Sequence, residues 1–196
     1  MSEILNLKIP LTDDEFDAVL PIHIRKLSNR HFTNLEVSRE VSQRLNEYKD
    51  LNLLDLGCGI GKFCVVVASI TKHNITGIDF RHDYILIAKR FKDKYNLKNL
   101  NFINQNILKV NFKTFNAFYL FNPFLEQIDN TARMDDDYET SPLLYSIYEN
   151  HVRQELQKMP AGTIVITYYV NPQQMPFNYE ISQTSFDGFL KIWTKK

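Results

Sequence analysis

The chain is predicted to be an α/β protein: a mainly parallel sheet with helices on both faces, closed by a terminal antiparallel strand pair. Three observations carry this. From Asn52 onward, short apolar runs alternate with longer segments of helical spacing, as strands and crossover helices do in a sheet covered on both sides. The first of these runs, LLDL, passes into a turn holding Gly57, Gly59 and Gly61 and then into an apolar segment, the order strand, loop, helix. At the end, NYEISQTSFDGFLKIWTKK offers two short runs about Asp187-Gly188 without room for a helix, hence an antiparallel pair.

Two helices are expected ahead of the sheet. Thr12 with Glu15 and Thr33 with Glu36 both fit a capping box, in which the threonine oxygen accepts from an orphan backbone N–H and the glutamate reaches back to the cap. Pro21 ends or interrupts the first helix, and Val37, Val41, Leu45 and Tyr48 form the apolar stripe of the second. Residues 1–50 are therefore expected to be a helical extension packed on the domain formed by 51–196.

Strands are predicted at residues 53–56, 75–79, 100–104, 117–121 and 163–169, with the closing pair at 179–182 and 189–194. Between the second and third, Tyr84, Ala88, Phe91 and Tyr95 recur at helical spacing behind an Asp83 cap. Before the fifth, Ser141 can cap with Pro142 at the first helical position, followed by Leu144, Ile147, Tyr148 and Leu156. FCVVVASI is β-branched and would be a strand by local propensity. Topology overrules that, because two adjacent parallel strands need a crossover of about a dozen residues, normally a helix.

Composition narrows the class. At 196 residues and 44% apolar content the chain forms a core without staples, and no apolar run reaches the length of a membrane span. MSEILNLKIP has neither a basic region nor an uninterrupted apolar stretch, so the expected location is cytoplasmic. Cys58 and Cys64 suit neither a disulfide framework nor a zinc site and are expected to be reduced, packed thiols. Lysine plus arginine equal aspartate plus glutamate, 23 each, which removes the attraction a free-standing nucleic-acid binder carries. The cluster Arg81, Lys89, Arg90, Lys92, Lys94 and Lys98 is read as a solvated helix face, and Asp135, Asp136, Asp137 and Glu139 as an acidic knot of unassigned role. The five histidines show no metal-binding spacing, and no G-x-S-x-G elbow supports a hydrolase.

The glycine loop decides the ligand class. A P-loop would need glycine at Leu56 and serine or threonine at Phe63, and a nicotinamide fingerprint would need its third glycine at Lys62. What stands is D-x-G-x-G-x-G over residues 55–61, which resembles the first motif of the class I, Rossmann-like, S-adenosylmethionine-dependent methyltransferases. A carboxylate there suits a ligand carrying ammonium and sulfonium charge and would repel a pyrophosphate. Asp79, ending the next strand, can accept from ribose hydroxyls, and Phe80 offers an apolar surface for adenine; a helix cap is the plainer role for Asp79.

The resemblance implies a seven-stranded sheet in the order 3-2-1-4-5-7-6 and S-adenosylmethionine as cofactor. It further implies a cofactor site formed by Asp55, Gly57, Cys58, Gly59, Gly61, Asp79, Phe80, Asn106 and Ile107, with Asn106 where the family usually has an aspartate for the adenine amino group. Asn122-Pro123-Phe124 ends the fourth strand and is one proline short of the [DNS]-P-P-[YF] motif of the family's amino-group enzymes. Asn122 Oδ1 and the Pro123 carbonyl could accept N–H bonds from a substrate nitrogen while Phe124 packs on a planar group, so these three are the candidate catalytic residues. A strand-ending Asn-Pro is the alternative. LEQIDNTARMDDDYETS, with RHFT as a second element, is the candidate lid. The acceptor is expected to be a small molecule or protein side chain, nitrogen favoured, with nucleic acid less expected and no metal. A non-catalytic cofactor-binding module and a nicotinamide oxidoreductase are the competing readings.

Overall fold

A computed structural model describes residues 12–135 and 137–196. Seven strands form one sheet: β1 (Asn52–Leu56), β2 (Asn74–Asp79), β3 (Leu100–Asn104), β4 (Ala117–Phe121), β5 (Ile164–Tyr168), β6 (Tyr179–Ser185) and β7 (Leu190–Lys195), in the order β3-β2-β1-β4-β5-β7-β6. The first five are parallel; β7 runs antiparallel to both β5 and β6, with a bulge between Ile181 and Gln183. This is the predicted architecture, strand order included.

Four short helices precede β1, where two were expected: α1 (Asp13–Asp17), α2 (Ile22–Arg25), α3 (Ser28–His31) and α4 (Leu35–Leu45). The Thr12–Glu15 capping box is present, and Pro21 sits at the cap position of α2. The Thr33 cap is a misreading. Asn34 caps α4 by accepting from the Val37 amide, while the Thr33 hydroxyl is buried against the Tyr119 hydroxyl at 2.8 Å.

Three helices follow: α5 (Lys62–Ile70), α6 (His82–Lys94) and α7 (Pro142–Gln157). FCVVVASI lies in α5, as the crossover argument required; nearly the whole helix is buried, so an apolar residue suits every side of it. Ser141 caps α7 ahead of Pro142. The cap of α6 is Arg81, not Asp83, which lies in the first turn and still favours the helix N-terminus by its charge.

One core cluster fills the face covered by α4, α5 and α6, and a second lies under α7. Lys62 fastens α1 to α5. Only 2% exposed, its ammonium sits 2.6 Å from Asp13, 2.9 Å from Asp17 and 3.0 Å from the Ser28 hydroxyl. Among the described residues no helix is long and apolar enough to cross a membrane, and no cluster of ligating side chains could hold a metal.

Candidate functional site

β1 brings Asp55 to the floor of the site and ends at Leu56, after which the chain turns through Gly57 and Gly61 at φ of 80° and 77°. The Gly57 and Cys58 amides both donate to the Ile78 carbonyl, at 3.0 and 2.8 Å, which holds the loop against the end of β2. The glycines serve different ends. A Cβ on Gly61 would stand 2.5 Å from the Phe102 ring and one on Gly59 3.0 Å from Phe32, so both are required by packing behind the loop. Gly57 instead presents bare backbone to three adjoining cavities, with Pro123 across from it.

A cleft of about 530 Å³ gathers Gly57, Asp79, Phe80, Asn106, Ile107, Pro123 and Phe124. A second, of about 490 Å³, joins Gly57 and Pro123 to Asn122, Phe121, Arg30 and His31. A third, of about 280 Å³, contains Asp55, Cys58, Thr33 and Tyr119 beside Gly57. All lie about the C-terminal ends of the parallel strands, where open α/β sheets bind ligands. Of the expected site residues, Gly59 and Gly61 stand behind this surface and the others line it.

The two carboxylates differ in surroundings. Asp79 is buried; its oxygens accept from the Gly59 amide at 3.0 Å and the Arg81 amide at 2.8 Å, leaving lone pairs for further donors. Burial raises its pKa, opposed by those amides and the Arg81 charge. Asp55 accepts from the Cys64 thiol at 3.1 Å and has no such amides, so burial, with Asp79 adding, pushes its pKa up to about 7. Burial likewise pushes the Cys58 thiol up to about 11, so both cysteines are the inert, reduced thiols expected.

Asn106 departs from a simple acceptor role. Its Oδ1 already accepts from the Leu108 amide at 2.9 Å and its Nδ2 donates to the Tyr148 hydroxyl at 3.0 Å, leaving one lone pair of the oxygen. Phe124 stacks on Tyr148 with ring centroids 5.3 Å apart. Asn122 carries φ of 38°, a left-handed conformation asparagine tolerates better than most residues. Neither its side chain nor the Pro123 carbonyl engages in a hydrogen bond among the described residues.

Three residues of the site are not legible as site residues in the sequence, which places Arg81 on a solvated face and Glu126 and His31 only in candidate lid segments. Arg81, read as part of a solvated basic face, is buried in the first cleft, where its guanidinium pairs with Glu126 at 2.6 Å and Asp135 at 2.7 Å and lies 4.5 Å from the Phe80 ring centroid. Glu126 is buried with it. Glu126 and Asp135 lie 45 and 54 residues beyond Arg81 in the chain, and nothing local marks the pairing. His31 lines the second and third cavities; burial, with Arg30 and Arg81 nearby, holds its pKa below the ordinary value, so it is neutral at pH 7. The expected lid segment is held from two sides, by Arg81 and by Arg30, which donates to Asp129 at 3.0 Å and to the Thr131 hydroxyl at 2.9 Å. One member of the acidic knot, Asp135, thus has a partner; Asp136 lies outside the described residues.

Comparison with known proteins identifies the family. A family model described as a methyltransferase domain matches residues 47–187. Methyltransferase phqN of Penicillium fellutanum is 33% identical over 82 residues, 40% of this chain and 25% of that protein. The match thus spans about a quarter of that relative's length. Among solved structures, TrmN from Thermus thermophilus superposes with a TM-score of 0.63 at 13% identity, over 87% of this chain and 52% of that one. Magnesium protoporphyrin IX methyltransferase from Synechocystis PCC 6803, solved with bound SAM, gives 0.58 at 12% identity over 89% and 82%. Since the family match runs from the end of the helical segment through six of the seven strands, the chain belongs to the methyltransferase-domain family, in its class I, S-adenosylmethionine-dependent form.

Proposed function

We propose that the chain is an enzyme that transfers a methyl group from S-adenosylmethionine to a nitrogen of a small-molecule acceptor. The observation that carries this is the placement of Asn122-Pro123-Phe124 at the end of β4, two free acceptor oxygens beside the cavities that meet at Gly57.

The residues present fit the cofactor. Gly57 leaves a cradle that a side chain would fill, Asp79 keeps lone pairs for the ribose hydroxyls, and Asn106 and Ile107 border the same cleft for the adenine. Asp55 and Cys58 border the smaller cavity, where a carboxylate favours a cationic ligand. When bound, S-adenosylmethionine supplies a methyl group on a sulfonium, the C–S bond breaking with its electron pair passing to sulfur as the acceptor's lone pair forms the new bond. Asn122 Oδ1 and the Pro123 carbonyl accept N–H bonds from the acceptor and orient its lone pair. His31, a neutral imidazole at the rim, can take up the proton the nitrogen sheds.

Three results are expected. Asp79→Asn weakens S-adenosylmethionine binding about 10- to 100-fold by calorimetry, the loss of a charge-assisted hydrogen bond. Affinity also falls with acidification below about pH 7, where Asp55 takes up a proton, and Asp55→Asn flattens that dependence. The sign for stability is opposite. The folded pKa lies above the unfolded one, so the native protein holds more protons between about pH 4 and 7 and unliganded stability falls as pH rises through that window. Thermal melts at pH 5 and pH 8 should show Asp55→Asn gaining on the wild type at the higher pH.

The direct test incubates the protein with methyl-labelled S-adenosylmethionine and a fractionated extract. Label in small amines supports the proposal; label confined to protein or RNA rejects the acceptor class, and cofactor binding without transfer to any fraction rejects the enzyme.

A further inference from the structure

We propose that a further cavity, between α7 and the ends of β4 and β5, seats the acceptor, and that the acceptor is an amino-acid-type zwitterion with an aliphatic body whose carboxylate pairs with Arg153. This rests on the methyl-transfer reading and names its substrate class. The cavity is about 410 Å³, within the roughly 300–1,000 Å³ typical of small-molecule sites. On α7, Tyr145, Glu149, Val152, Arg153 and Leu156 recur at helical spacing and turn one face toward it. Asn122 and Pro123 form another wall, and Val170, Gln174 and Met175, beyond β5, a third.

Its parts differ in chemistry. Leu120, Val152, Leu156, Val170 and Met175 are all buried, so the floor is aliphatic and takes an uncharged body. The polar groups stand above it. Gln174 donates its side-chain amide to the Tyr145 hydroxyl, which ties α7 to the segment after β5 and sets the distance between those walls. Asn122 and Pro123 also line the second of the cavities about Gly57, and Pro123 and Phe124 the first. A ligand seated here therefore lies against the tripeptide that borders the proposed cofactor cleft.

Charge selects the ligand's head group. Glu149 and Arg153 stand four residues apart with the acid first, the order that pairs best along a helix, and Glu40 with Arg44 does pair at that spacing on α4, at 2.6 Å. On α7 the two do not pair, and among the described residues neither side chain has another ion-pair or hydrogen-bond partner. The Glu149 charge instead acts on Tyr145, whose pKa is raised by burial first and by that carboxylate second. One free cation and one free anion at the mouth of an aliphatic cavity complement a carboxylate and an ammonium on one small molecule. A polyanion such as RNA would bring further phosphates against Glu149. Bound as its ammonium, the amine gives one proton to solvent, and the freed lone pair forms the N–C bond as the C–S bond breaks toward sulfur.

The experiment uses the full chain with saturating S-adenosylhomocysteine and follows binding of L-leucine, L-norleucine and L-methionine by calorimetry, with the amide and the deaminated acid of each and adenosine monophosphate as comparisons. At least one amino acid should bind saturably, about tenfold tighter than its own amide and its own deaminated acid, and should take label from methyl-labelled S-adenosylmethionine. Arg153→Gln should weaken that amino acid about tenfold and leave its amide unchanged, while Arg153→Lys keeps part of the affinity. Glu149→Gln should weaken the amino acid and its amide and spare the deaminated acid. S-adenosylhomocysteine affinity, measured separately, stays unchanged in all variants and shows that they fold. Loss of that affinity in the wild type itself would overturn the parent reading. With it intact, no saturable binding by any of the three, an amide that binds as tightly as its amino acid, an Arg153→Gln variant that binds like the wild type, a bound amino acid that takes no label, or tighter binding of adenosine monophosphate would each overturn this proposal.

Discussion

Asn122→Ala is expected to lower kcat about 100- to 1000-fold, the range found when a single oriented hydrogen-bonding group is removed from a reacting centre. S-adenosylmethionine affinity should stay within about twofold, because Asn122 lies outside the cleft that holds Asp79 and Asn106. The backbone supplies a control. Alanine at φ of 38° carries left-handed strain of about 1–2 kcal/mol, whereas glycine does not. Asn122→Gly should therefore match the wild type in urea denaturation and still lose turnover. Turnover unchanged in both variants would remove Asn122 from the chemistry and leave it as a strand terminator.

The largest effect on stability is expected at Lys62. Lys62→Ala removes the partner of Asp17, itself buried, and strands a carboxylate without compensation, a loss of about 3–5 kcal/mol. For a chain of this size that lowers Tm by roughly 6–20 °C. The paired change Lys62→Met with Asp17→Leu takes away both charges and should recover most of the loss, because a buried pair contributes little net stability over well-packed apolar residues. A double variant as unstable as the single one would show that Lys62 acts through its Ser28 contact and Phe16 packing instead.

Much of the scaffold was legible because its signals are local. The strands predicted at 100–104 and 117–121 match β3 and β4 to the residue, and the others differ only at their ends, since an apolar run bounded by turn residues marks itself. The order of α5 followed from chain length between parallel neighbours, even against β-branched propensity. Caps were less legible. Thr33 and Asn34 are both competent, and the choice between them was made by Tyr119, 86 residues away, which takes the Thr33 hydroxyl. The same holds for Arg81, whose burial depends on Glu126 and Asp135 arriving from the lid segment.

The sequence alone determined a seven-stranded α/β frame, because periodicity, turn chemistry and crossover length act within a few tens of residues, and its resemblance to a known family pointed to the residues at the open edge. It also assigned one purpose to three glycines. Only the folded chain separated Gly57, which faces the cavities, from Gly59 and Gly61, which make room for Phe32 and Phe102. The tertiary structure likewise set Asp55 apart from Asp79, two aspartates at neighbouring strands, the first accepting from the Cys64 thiol and the second from two backbone amides. Desolvation and hydrogen bonding depend on which distant segments meet, and a linear pattern does not carry that information.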